Sequence, residues 1–98
     1  MKIKKEVEQL LRDARRLIND IDERLVFLLA KRFKVARSIG ILKKELGQPI
    51  SNPKREKEIL ERIHKEAAKN NIDPKQFERI FIQIIAESKN YENDYLSR

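Results

Sequence analysis

Arg32, Glu56 and the pair Ser88 and Glu92 stand where the apolar periods of three successive segments ask for hydrocarbon. Arginine inside an apolar seam is costly to bury unless it is paired. The same holds for a glutamate one turn upstream of Ile59, Ile63 and Ala67, and for Ser88 and Glu92 continuing the Phe77, Phe81, Ile84 stripe towards Tyr95. Each interruption has an ordinary explanation. Arg32 could set helix register or extend to solvent, Glu56 suits a helix first turn, and Ser88 could bond back to its own helix. Their coincidence on all three segments points instead to a pocket with a positive interior, suited to an anion. Lys43, about three helical turns or roughly 16 Å beyond Arg32, could converge with it on one small ligand. Arg15 lies about 25 Å before Arg32 on the same helix, too far to reach that ligand in the same chain. If Arg15 belongs to the site, it comes from a partner protomer.

What is missing narrows the chemistry. The chain of 98 residues has no Cys and one His, His64, so it carries no thiolate nucleophile, no disulfide framework and no zinc cluster. It has no Ser/His/Asp set, no phosphate-cradling Gly loop and no carboxylate pair with acid–base spacing. Cations with one or two hydrogen-bonding groups suit binding, or a reaction that needs only positioning and electrostatics.

The elements that must hold these residues are helices. Charged residues make up 40% of the chain and apolar residues another 40%, enough hydrocarbon to exclude a disordered chain. The longest apolar run, Leu25 to Ala30, is far too short to cross a membrane. With no secretory leader at the N-terminus, a soluble protein of the cytoplasm is expected. Gly47-Gln48-Pro49-Ile50-Ser51-Asn52-Pro53 reads as a Gly stop followed by an N-cap and a proline at the first helical position. Asn70-Asn71-Ile72-Asp73-Pro74-Lys75-Gln76 reads as a second break, with Asp73 and Gln76 as a capping box. Helices are predicted over about 3–46, 53–69 and 74–96, within a single domain 1–98.

The first helix carries Val7, Leu11, Ala14, Ile18, Ile21, Leu25, Leu28, Val35, Ile39 and Leu42 in alternating steps of four and three. Such a rod, roughly 65 Å long, exceeds what a compact monomer of this size can cover. An obligate homodimer with its long helices packed together is expected.

The ordered set Arg15-x6-Asp22-x9-Arg32-x10-Lys43, then Pro49, then Asn52-x2-Arg55-Glu56, then Ser88-x3-Glu92 resembles the all-helical (AroQ-class) chorismate mutases. Ile21-Asp22-Glu23-Arg24-Leu25 and Leu28-Leu29-Ala30-Lys31-Arg32 look like that family's first helix, and the likeness spans nearly the whole chain. The resemblance implies an all-α, three-helix protomer in an intertwined homodimer. It implies rearrangement of the dicarboxylate chorismate to prephenate on the route to Phe and Tyr, with no cofactor and no metal. Arg32 and the partner's Arg15 would hold the substrate carboxylates. Lys43 would meet the breaking ether oxygen and a carboxylate. Glu56 would accept from the ring hydroxyl, with the backbone near Asn52 also contributing. Ser88 would bond a carboxylate, and Arg55 would add positive charge.

Two positions depart from the family pattern. Asn52 replaces an Asp of some relatives, which a backbone role tolerates. Glu92 replaces a Gln of several relatives, so it must be protonated to donate to the ether oxygen. Faster turnover at mildly acidic pH is expected. An isochorismate pyruvate-lyase of the same fold is the nearest rival reading. A nucleic-acid-binding helical dimer would show a one-sided basic stripe, but the formal charge of +7 is interspersed with acids, as in Lys54-Arg55-Glu56-Lys57-Glu58. Binding to nucleic acid is therefore disfavoured, as is a dimerisation module without catalysis.

Overall fold

The computed structural model describes residues 3–94, and these form an all-α protein of three helices: α1 Lys4–Glu45, α2 Pro53–Lys69 and α3 Pro74–Asp94. α1 begins one residue later and ends one residue earlier than predicted, and α2 matches. The expected positions of Tyr95 and residue 96 on the third helix lie outside the described residues. No helix among the described residues is long and apolar enough to cross a membrane.

The helix ends follow from the residues at the breaks. Gly47 takes a left-handed φ of 66°, and the N–H groups of Gly47 and Gln48 bond back to the carbonyls of Lys44 and Lys43 at 3.1 and 2.8 Å. This closes α1 with a glycine where a side chain would be strained. α2 ends the same way with Asn71 at φ 57°, its N–H on Ala68 O and that of Ile72 on Ala67 O. Asn52 caps α2 by accepting from Arg55 N–H at 3.1 Å, and Pro53 follows in the first turn. The predicted box at the start of α3 forms only in half. Asp73 Oδ1 accepts from Lys75 N–H at 3.0 Å, but Gln76 makes no return bond.

The chain divides after Lys31 into two units. In the first, residues 3–31, every side chain is exposed except Leu29, which is half-buried. Its apolar seam, including Val7, Leu11, Ile18, Ile21 and Leu25, keeps about half its surface open to solvent. In the second unit, residues 32–45 of α1 pack with α2 and α3 around a small core. Ala36, Ile59, Ala67 and Ile85 are its buried hydrocarbon. Ile63, Phe77, Phe81 and Ile84, expected on the inner faces, are half-buried. The buried centre of the α3 face runs through Ile85, Ser88 and Glu92: Ser88 and Glu92 lie where the stripe placed them, and Ile85 takes the place expected of Ile84. On α1 the buried positions are Ala36 and Gly40, beside the exposed seam residues Val35, Ile39 and Leu42.

Gly40 sets how closely α3 approaches. A Cβ there would lie 2.5 Å from the Glu92 carbonyl oxygen and 2.8 Å from Glu92 Cα. Phe33 and Tyr91 stack at 4.7 Å between ring centres, and Arg37 pairs with Asp94, so the end of α3 is tied to α1 on both sides of Glu92. His64 on α2 meets Glu78 on α3 at 3.2 Å.

A candidate anion-binding active site

Within the second unit, α1, α2, α3 and the α1–α2 connection enclose an open cavity of about 310 Å³. Its apolar wall comes from Val35, Ala36, Ile39, Ile50, Ile59 and Ile85. The predicted residues Arg32, Lys43, Asn52, Arg55, Glu56, Ser88 and Glu92 all line it. Arg15 does not: it stands exposed in the first unit, as does Asp22.

Backbone register accounts for this convergence. Arg32, Ala36, Ile39 and Lys43 recur at three- and four-residue steps and share one side of α1. Asn52 brings the chain into α2 so that Arg55, Glu56 and Ile59 follow within two turns. Ser88 and Glu92 continue the buried face of α3 from Ile85.

The polar contacts cross between helices. The Arg32 guanidinium donates to Ser88 Oγ, and that hydroxyl donates in turn to the Ile84 carbonyl at 2.7 Å. Ser88 therefore makes the back-bond of an ordinary helix serine and also receives the arginine. Lys43 Nζ donates to the Ile50 carbonyl at 2.7 Å and stands 2.7 Å from Glu92 Oε1. The Lys43–Glu92 contact is an ion pair outside hydrogen-bonding directions. Glu92 Oε1 is fully buried and is met by this ammonium charge rather than by a well-directed hydrogen bond. A buried carboxylate oxygen is costly unless a charge meets it, and Lys43 supplies that charge. Glu56 Oε1 pairs with Lys89 Nζ at 2.5 Å.

Two charged residues of the cavity wall were not among the predicted set, Arg62 and Lys89. Both had a signal in their spacing: Arg62 falls two turns after Arg55, and Lys89 falls one turn after Ile85. A lone surface-type cation at such a spacing is usually solvated, so helical period alone did not single them out.

With Arg32, Lys43, Arg55, Arg62 and Lys89 facing Glu56 and Glu92, positive charge is in excess. Arg32 registers it. Burial first, then the like charges of Arg62 and Arg55, hold its basicity below the ordinary guanidinium range, with Glu92 opposing. The guanidinium stays charged at any working pH, so the cavity holds repelling cations that a bound anion would relieve. Among the described residues no group of His, Asp and Glu could hold a metal ion.

Comparison with known proteins fits this geometry. Residues 14–93 match the family described as chorismate mutase type II. A chorismate mutase of Methanocaldococcus jannaschii is 35% identical over 86 residues, covering 88% of this chain and 87% of that protein. A bifunctional chorismate mutase/prephenate dehydratase of Buchnera aphidicola is 42% identical over 71 residues, 72% of this chain but only 18% of its own length. Among solved structures, a conserved hypothetical protein from Pyrococcus furiosus superposes with a TM-score of 0.68 at 35% identity, over 85% of this chain and 95% of that one.

Proposed function

The chain belongs to the chorismate mutase type II family, and we propose on that premise that residues 1–98 act as a single catalytic domain in the cytoplasm. Its reaction is the Claisen rearrangement of chorismate to prephenate, an isomerisation in aromatic amino acid biosynthesis. A pericyclic step needs neither nucleophile nor base. It needs the folded substrate conformer, which clamps on two carboxylates select. It also needs donors at the ether oxygen, where negative charge grows as the C–O bond breaks.

The observation that carries this reading is the cavity's surplus of cations, with Arg32 on Ser88 and Lys43 on the buried Glu92 carboxylate. In it Arg32 and Ser88 hold one substrate carboxylate. Lys43 reaches the ether oxygen and a carboxylate. Glu92, once protonated, donates to the ether oxygen as well. Glu56 accepts from the ring hydroxyl, the backbone at Asn52 adds a contact, and Arg55 adds positive charge. Arg15 of the partner subunit holds the second carboxylate. The half-exposed seam of the first unit supports that homodimer, because large apolar stripes left open to water favour association with a complementary surface.

The test is to mix purified protein with chorismate, follow loss of the diene absorbance and identify the product. Prephenate, formed faster at mildly acidic than at neutral pH, is the expected result. In Glu92→Gln the amide donates at every pH, so the profile flattens; an unchanged profile removes Glu92 from this role. Pyruvate and salicylate from isochorismate, with no turnover of chorismate, would overturn the mutase reading.

A further inference from the structure

Each carboxylate of the cavity has its own lysine. Glu92 has Lys43, which the proposed reaction uses, and Glu56 has Lys89, which it does not. Lys89 sits on α3 and Glu56 in the first turn of α2, so the contact bridges two helices across the cavity wall. At 2.5 Å it is a close ion pair, and both side chains are mostly shielded from solvent. From this geometry we propose that Lys89 is a positioning residue that holds Glu56 Oε1, leaving Oε2 to accept the substrate's ring hydroxyl. The inference rests on the reading of Glu56 given above.

Two physical effects follow from the contact. A glutamate has three rotatable side-chain bonds, and ordering them only when substrate arrives costs entropy. Lys89 anchors the carboxylate beforehand. A carboxylate also accepts at both oxygens, so an ammonium on one leaves the other competent. Lys89 thereby contributes to the preference for a hydroxyl-bearing ring.

The test compares kcat/KM for chorismate and for its analogue lacking the ring hydroxyl, in the wild type, Lys89→Met, Lys89→Arg, Glu56→Gln and the Lys89→Met/Glu56→Gln double variant. Lys89→Met is expected to lower kcat/KM for chorismate roughly tenfold and to change that for the analogue less than about twofold. Lys89→Arg should restore most of the loss. In the Glu56→Gln background, Lys89→Met should have no further effect on the preference for the hydroxyl. Retained turnover of the analogue shows that the variant is folded. Equal losses on both substrates, or no loss on either, would overturn the role of Lys89 while Glu56→Gln still erases the preference. A preference left intact by Glu56→Gln would overturn the Glu56 reading and this one with it.

Discussion

Residues 4–31 and residues 32–45 belong to one helix and carry one apolar period, yet they treat their polar groups in opposite ways. In the first stretch the polar contacts stay on the helix: Gln9 to Asp13, Arg12 to Gln9, Arg16 to Asp13 and Lys4 to Glu8. Such neighbours contribute about 0.2–0.5 kcal/mol each and fix nothing beyond the helix itself. In the second stretch charged side chains reach off the helix: Arg32 to Ser88, Arg37 to Asp94, and Lys43 to Glu92 and the Ile50 carbonyl. The first stretch leaves its hydrocarbon open to water, and the second buries charge. Each state is unfavourable alone, and each asks for a different complement: a second apolar surface in one case, an anion in the other.

The sharpest way to break this contrast is to ask whether the two stretches serve one site. Arg32→Ala is expected to lower kcat/KM by about three orders of magnitude, and Arg15→Ala by about two. If the partner subunit supplies Arg15, unfolding and refolding the two inactive variants together regenerates one intact site in each mixed dimer. Random reassembly then recovers about a quarter of the wild-type rate. No recovery in a mixture shown to contain mixed dimers would separate Arg15 from the site.

Next in size is the seam. Leu25→Glu places a charge in the half-exposed stripe of the first stretch, and is expected to give a monomer by sedimentation with activity largely lost. A fully active dimer in Leu25→Glu would mean that the stripe is not the subunit contact. A smaller effect belongs to Gly40→Ala, where the added methyl meets the Glu92 backbone. A loss of about 1–3 kcal/mol is expected from overpacking, read as a lowered Tm. Activity should fall with it, because the same shift moves Glu92 away from Lys43. The smallest effect is that of Arg62→Gln. Removing one of several cations should raise KM about threefold to tenfold with little change in kcat, and an unchanged KM would place Arg62 outside the substrate's field.

Much of this was legible in the chain. Gly47, Pro53 and Pro74 mark helix ends because backbone geometry at those positions admits few alternatives. Ser88 and Glu92 could be placed on a buried face because a polar residue breaking an apolar period stands out, and both are buried. Other features were not legible. Lys89 and Arg62 carry long, flexible side chains whose direction depends on what lies across the cavity. The choice of Ile85 over Ile84 as the buried centre of α3 is a rotation of one residue, which neighbouring apolar residues do not report. Gln76 had the right type and spacing for a capping box, but Asp73 took the Lys75 N–H instead.

Helix type, helix limits and the identity of the interrupting polar residues are local properties, decided within one or two turns by period, caps and breakers. Which ion pairs form, how near α3 lies to α1 at Gly40, and which lysine each cavity carboxylate meets are relations between helices. They depend on distances of a few tenths of an ångström between residues far apart in the chain, and only the packed structure decides them.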